Sequence, residues 1–247
     1  MKLLAVSVSM GKEVPYMDKT VTTGIFNEPV SGRVMLRTLN LDGDRQIDLR
    51  GHGGPYKAVY VYTMENYEHW KRELGRTDFQ IPQFGENFTV EGMTEDKIHV
   101  GDVFRVGDAL VEVTQPRVPC YRLGIKMGDP KFPKRFLQSC LVGFYLRVLE
   151  EGAVGAGDNI ELVRQDPEAM SVRKVCHLYY FDPKNLEECK RAIRIAALSP
   201  GWREGFLERL QKAGITVERS EAPKVAPKEA TKDEMCCGPK GQEVLSN

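Results

Sequence analysis

Near residue 165 the spacing of apolar residues changes from that of strands to that of helices. This break limits the chain to a sheet-forming part followed by a helical one. Before it, short apolar runs at residues 3–9, 34–36, 58–62, 103–106, 109–114, 144–149 and 159–163 alternate with Gly, Asp, Asn and Pro. Gly107 and Asp108 tolerate positive φ and predict a hairpin. Short strands on short turns predict a curled β-barrel or strongly curled sheet over residues 1–165. Two helices interrupt it. At 64–74, Tyr67, Trp70 and Leu74 share a face before Gly75; at 131–140, Phe132, Phe136, Leu137 and Cys140 do, with Cys140 read as core.

After Arg164 every periodic segment is helical. Ser171 is placed to cap a helix over 172–180. Asp182-Pro183 and Ser199-Pro200 read as helix starts, because Pro suits the first turn and the residue before it can accept from free N–H groups. The stripes are Leu186, Cys189, Ile193 and Ala197, then Trp202, Phe206 and Leu210, with Gly214 as the stop. This predicts a three-helix domain at 167–215. Its faces carry no basic stripe, so direct DNA reading is not expected. Residues 219–247, rich in Lys, Glu, Ala and Pro, cannot bury enough surface to order and predict a disordered tail. Cys236-Cys237 reads first as two exposed thiols, with soft-metal capture or redox coupling to a partner as the alternative.

Charge and cysteine usage narrow the function. Thirty-five basic residues balance 35 acidic ones, which gives no basis for bulk nucleic-acid or membrane binding. The N-terminal apolar run is too short for a signal peptide, and no stretch approaches the ~18 apolar residues of a spanning helix. These features predict a cytoplasmic protein whose six cysteines are free thiols. Four dispersed histidines and no Cys-x-x-Cys pair argue against structural zinc.

Three motifs can carry chemistry. In Gly51-His52-Gly53-Gly54-Pro55-Tyr56-Lys57, the glycines let backbone N–H groups approach an anion and Lys57 adds charge; a plain tight turn is the competing reading. In Phe84-Gly85-Glu86-Asn87, a carboxylate and an amide sit on a flexible turn; the competing reading is a hairpin held by Asn87 side-chain bonds. In Gln115-Pro116-Arg117-Val118-Pro119-Cys120-Tyr121-Arg122, two prolines stiffen a strand end around Cys120. Arg117 and Arg122 flank that thiol and favour its thiolate, a nucleophile or soft-metal ligand.

Together, in this order and at these distances, the three motifs and the helical appendix resemble the MOSC domain, specifically its YiiM-like branch. That resemblance implies a curled barrel that binds the molybdenum cofactor, with Cys120 supplying a thiolate to the metal. It implies reduction of N-hydroxylated compounds such as hydroxylaminopurine-type bases, with electrons from a separate flavin or iron–sulfur protein. On this reading Gly53, Gly54, Lys57, Gly85, Glu86, Asn87 and Arg117 contact the cofactor, and His52 joins Cys120 as proton donor. Tyr56 and Asn27 depart from the branch, each standing where a charged residue is usual. Two other functions compete: a carrier or sensor passing on cofactor or sulfur, and a thiol hydrolase using Cys120, His52 and Asn87. An oligomer is compatible with each.

Overall fold

In the computed structural model, residues 1–47 and 53–216 are described. His52 and the tail with Cys236-Cys237 lie outside them. Twelve strands occur among the described residues: β1 (Lys2–Val8), β2 (Lys12–Tyr16), β3 (Lys19–Thr23), β4 (Glu28–Pro29), β5 (Arg33–Leu36), β6 (Val59–Thr63), β7 (Phe88–Glu91), β8 (Val103–Val106), β9 (Ala109–Pro116), β10 (Phe144–Glu150), β11 (Gly152–Gly155) and β12 (Ile160–Arg164). The helices are α1 (Met64–Leu74), α2 (Tyr121–Met127), α3 (Phe132–Ser139), α4 (Val172–Tyr180), α5 (Leu186–Ala192) and α6 (Pro200–Lys212).

Eight strands pair in the order β12-β8-β9-β10-β6-β7-β1-β4, with β11–β5 and β2–β3 as separate ladders. Every pair is antiparallel except β6–β7, because α1 lies between them and carries the chain back to the same end of the sheet. The β8–β9 hairpin turns at Gly107 (φ +54°), with Val106 facing Ala109, as the dipeptide predicts. The sheet curls until the start of β1 meets the approach to β12. There Leu3 N donates to Asp158 O at 3.0 Å, Gly157 N to Leu3 O at 2.8 Å, and Ile160 N to Met1 O at 3.0 Å. The curl is therefore present, but the strands do not close into one continuous barrel ladder.

One buried cluster joins the sheet interior (Leu3, Val61, Val111, Val113) to the helical segment (Val172, Val175, Trp202, Phe206). The three helices thus share their core with the sheet. A second cluster, largely aromatic, packs Tyr62, Tyr67, Trp70, Phe84, Phe132 and Phe136 around α1 and α3. Ser171 caps α4, its hydroxyl accepting from Lys174 N at 3.2 Å. The Asp182-Pro183 start is corrected: α5 begins at Leu186, capped by Asn185, whose Oδ1 accepts from Glu188 N at 3.3 Å. Asp182 instead accepts from Asn185 Nδ2 at 2.9 Å, so the acid orients the cap rather than being it. α5 ends at Ala192, before Ala197 of the predicted stripe. Ser199 precedes α6, although its side chain makes no capping bond. No helix among the described residues is long and apolar enough to cross a membrane.

Glu95 is fully buried between these layers. Its Oε1 accepts from Asn66 Nδ2 and from Gly143 N, both at 2.7 Å. Burial raises its carboxyl from 4.5 to about 7, the hydrogen bonds offsetting only part of the desolvation. A carboxyl raised in the folded state stabilises fully below its unfolded value, and that stability is lost as pH rises through the folded one. Glu95→Gln is therefore expected to flatten the pH dependence of stability between 4.5 and about 7. The difference corresponds to about 3 kcal/mol, read from urea midpoints at several pH values. Parallel curves for the two proteins would refute it.

Candidate functional site

Strand β9 ends in Gln115-Pro116, and Arg117 N extends its pairing by donating to Gly143 O at 3.1 Å. Val118-Pro119 then leads to Cys120, which is extended (φ −128°, ψ 176°) and immediately precedes α2. A ladder on one side and a helix on the other fix the cysteine backbone. Cys120 is half-buried on the wall of a cleft with about 720 Å3 of free space, counted to its open mouth. Residues 23–25, 44–47, 57, 58 and 60 join Asn27, Gly85, Asn87, Arg117, Arg122 and Tyr145 in lining it. Arg45, Lys57, Arg117 and Arg122 face a single acid, Asp44, among the described residues of that wall. Burial raises the Asp44 carboxyl, only partly offset by bonds from the Ser9 and Arg45 backbones and Asn87, so the wall favours anions.

Arg117 is only 5% exposed. Its Nη1 donates to Tyr60 Oη and to Phe84 O, both at 3.0 Å, and its guanidinium lies 4.5 Å from the Tyr60 ring centre. Tyr60 Oη in turn donates to Val142 O at 3.0 Å. Burial acts to lower the Arg117 pKa, but Tyr60, Tyr145 and Cys120 more than offset it and hold the group above its ordinary value. The cation is thus fixed, permanently charged and electrostatically coupled to the Cys120 sulfur.

The structure separates the other expected site residues. Lys57 lines the cleft, whereas Gly53 and Gly54 are not on its wall; Gly54 N donates to Gln46 Oε1 at 2.9 Å, and Gly54 has φ +89° to enter the short turn Pro55–Lys57. Glu86 is corrected from ligand contact to core. It is fully buried, accepts from Tyr67 Oη, from Thr89 Oγ1 at 2.9 Å and from Phe84 N at 3.1 Å, and burial raises its carboxyl. Asn87 borders the cleft, but its polar atoms are spent on structure. Oδ1 accepts from Tyr60 N at 3.0 Å, and Nδ2 donates to Ser7 O and Asp44 Oδ2 at 3.2 Å. Both polar atoms of Asn87 thus already serve the fold.

Gly85 has φ +78°, and a Cβ there would lie 2.5 Å from Ile25 Cγ1. That close approach seats the 23–27 loop, which Asn27 secures by donating from Nδ2 to Gly85 O (3.2 Å) and Glu86 O (3.0 Å). Asn27 thus replaces an expected charge with a structural amide. Tyr56 points elsewhere, its ring 5.5 Å from the Arg147 guanidinium and its carbonyl accepting from Thr114 Oγ1 at 2.7 Å. Gly85→Ala is expected to cost about 2–3 kcal/mol from left-handed strain plus collision, and to loosen the cleft wall. Thermal unfolding checks this, and an unchanged midpoint would contradict it.

Sequence reasoning missed Asp44, Arg45, Tyr60 and Tyr145. Asp44 and Arg45 sit in a polar turn with no periodic signal, and Tyr60 and Tyr145 look like ordinary strand residues. It also missed Lys126. From α2, Lys126 Nζ donates to Ile25 O at 2.8 Å and to Pro82 O at 2.5 Å, and burial lowers its pKa to about 8.

Among the described residues, no group of three or more His, Cys, Asp or Glu could chelate a bare metal ion. A single half-exposed thiol among cations instead fits a metal that arrives with its own ligands on an anionic carrier. Residues 48–161 match the MOSC domain, and residues 170–213 match the YiiM-like, 3-alpha helix domain. The chain is 42% identical over 205 residues to the uncharacterized protein YflK of Bacillus subtilis, covering 82% of this chain and 92% of YflK. The crystal structure of YiiM from Geobacillus stearothermophilus superposes with a TM-score of 0.71 at 35% identity, covering 85% of this chain and 98% of that one. A protein named reductase from Gibberella moniliformis is 30% identical over 158 residues, 63% of this chain and 28% of that protein.

Proposed function

Since this chain belongs to the MOSC domain family, in its YiiM-like branch, we propose that it is a molybdenum-cofactor-dependent reductase of N-hydroxylated compounds. The observation that carries this reading is Cys120, half-buried beside the buried Arg117 on a cationic cleft wall. When bound, the cofactor would supply a redox metal able to take up oxygen from an N–OH group. This chain's residues do the rest. Cys120 holds the metal through its sulfur, and Arg117 fixes positive charge next to that sulfur. Arg45, Lys57 and Arg122 offer cations to the cofactor's phosphate. Reduction of N–OH to N–H with loss of water consumes two electrons and two protons, and the electrons come from a separate flavin or iron–sulfur protein. The reductase among the relatives supports a redox role.

The test is expression in a host that makes the cofactor, followed by molybdenum and pterin analysis. Turnover of an aromatic hydroxylamine is then assayed with a reduced viologen as electron source. Stoichiometric molybdenum with turnover is expected. A metal-free protein carrying persulfide on Cys120 would favour sulfur or cofactor carriage instead.

A further inference from the structure

Tyr145 differs from the tyrosines packed near it. Tyr60 Oη donates to Val142 O and Tyr62 Oη to Leu141 O, each at 3.0 Å, and Tyr67 Oη donates to Glu86. Tyr145 is 8% exposed, yet its Oη makes no hydrogen bond among the described residues. Buried hydroxyls normally find partners, because an unpaired one loses its hydration without compensation. Tyr145 lines the same cleft as Cys120. Its unmatched donor is therefore available to whatever occupies that space.

The fold fixes the position of this side chain. Tyr145 pairs with Tyr60 of β6 and with Gln115 of β9, so the three side chains share one face of the sheet. Its carbonyl accepts from Thr114 Oγ1 at 3.1 Å, and its ring centre lies 5.5 Å from that of Tyr60. The neighbouring amide does not take its proton, since Gln115 Oε1 is itself buried without a hydrogen-bond partner among the described residues. From Gln115 the chain runs through Pro116 and Arg117 to Cys120, also on the cleft wall. Burial raises the Tyr145 phenol above its ordinary value; Arg117 opposes this only in part, and the Cys120 sulfur adds to it. The hydroxyl thus keeps its proton at neutral pH and remains a donor.

We propose that Tyr145 is a substrate-binding residue whose hydroxyl donates a hydrogen bond to the oxygen of the N–OH group, holding it on the Cys120 side of the cleft. The proposal rests on the reductase reading for its ligand and deepens it, by naming what holds the atom that the reaction removes. Once that oxygen has left as water, its hydrogen bond is lost with it. The amine is then held more weakly than the hydroxylamine, which favours product release. A phenylalanine at this position keeps the ring beside Tyr60 and removes only the donor.

The test compares wild type with Tyr145→Phe, both purified from a cofactor-competent host and kept oxidised so that no turnover occurs. Calorimetry under nitrogen measures the binding of phenylhydroxylamine and of aniline, which lacks the oxygen. Wild type is expected to bind the hydroxylamine about tenfold more tightly, and Tyr145→Phe to bind the two within about twofold, the scale of one hydrogen bond. Molybdenum content and thermal midpoint should not change, because the hydroxyl holds neither cofactor nor protein. Equal discrimination in the two proteins would overturn the proposal, and so would a wild type that does not discriminate. Loss of molybdenum from Tyr145→Phe would also overturn it, by assigning the hydroxyl to the cofactor. Binding is read without turnover, so the two readings fail separately. A wild type that discriminates but does not reduce would refute the reductase reading alone.

Discussion

Cys120→Ala, purified from a cofactor-competent host, is expected to lose at least about a hundredfold in molybdenum retained and in turnover of an aromatic hydroxylamine. Changes to outer-shell partners of a metal site commonly cost about 10–100-fold, and removal of a direct ligand costs at least as much. The half-buried alanine should leave folding intact, because Cys120 lies at a strand–helix junction and its side chain does not cap α2. Thermal unfolding of the variant serves as the control. Cys120→Ser should behave alike, since a hydroxyl is a poor soft-metal ligand at neutral pH. Full metal and full turnover in either variant would end the assignment of residue 120 as the metal's thiolate.

Glu86→Ala is expected to act in the opposite way, with a large loss of stability and little change in molybdenum per folded molecule. The substitution strands three buried donors, Tyr67 Oη, Thr89 Oγ1 and Phe84 N. Leaving such groups unpaired costs about 1–3 kcal/mol each, not fully additively, so a loss of about 3–5 kcal/mol is expected. For a chain of this size that corresponds to a fall of roughly 10–15 °C in Tm. Normal stability with loss of cofactor would instead mean that the carboxylate contacts the ligand.

These two residues show how far local signals reach. Proline bracing and flanking arginines pointed to Cys120 because they act over a few residues, and short-range geometry survives into the fold. A turn containing Gly, Glu and Asn looks the same in sequence whether its carboxylate faces a ligand or the core. Glu86 was decided by α1, which brings Tyr67 against it, and by Phe84 among the aromatics of α1 and α3. Asn87 was decided likewise by Ser7 and Asp44, about 80 and 43 positions away.

By itself the sequence determined the change from strands to helices near residue 165, the hairpin at Gly107, the span of α1 and the stiff turn around Cys120. Each follows from backbone propensity or periodicity within about ten residues. Tertiary structure alone decided which cations share a wall with the sulfur, how far the sheet curls, and that the three helices share its core. Those outcomes depend on pairings between distant segments, which no local pattern encodes, because burial and charge coupling exist only once the chain has closed on itself.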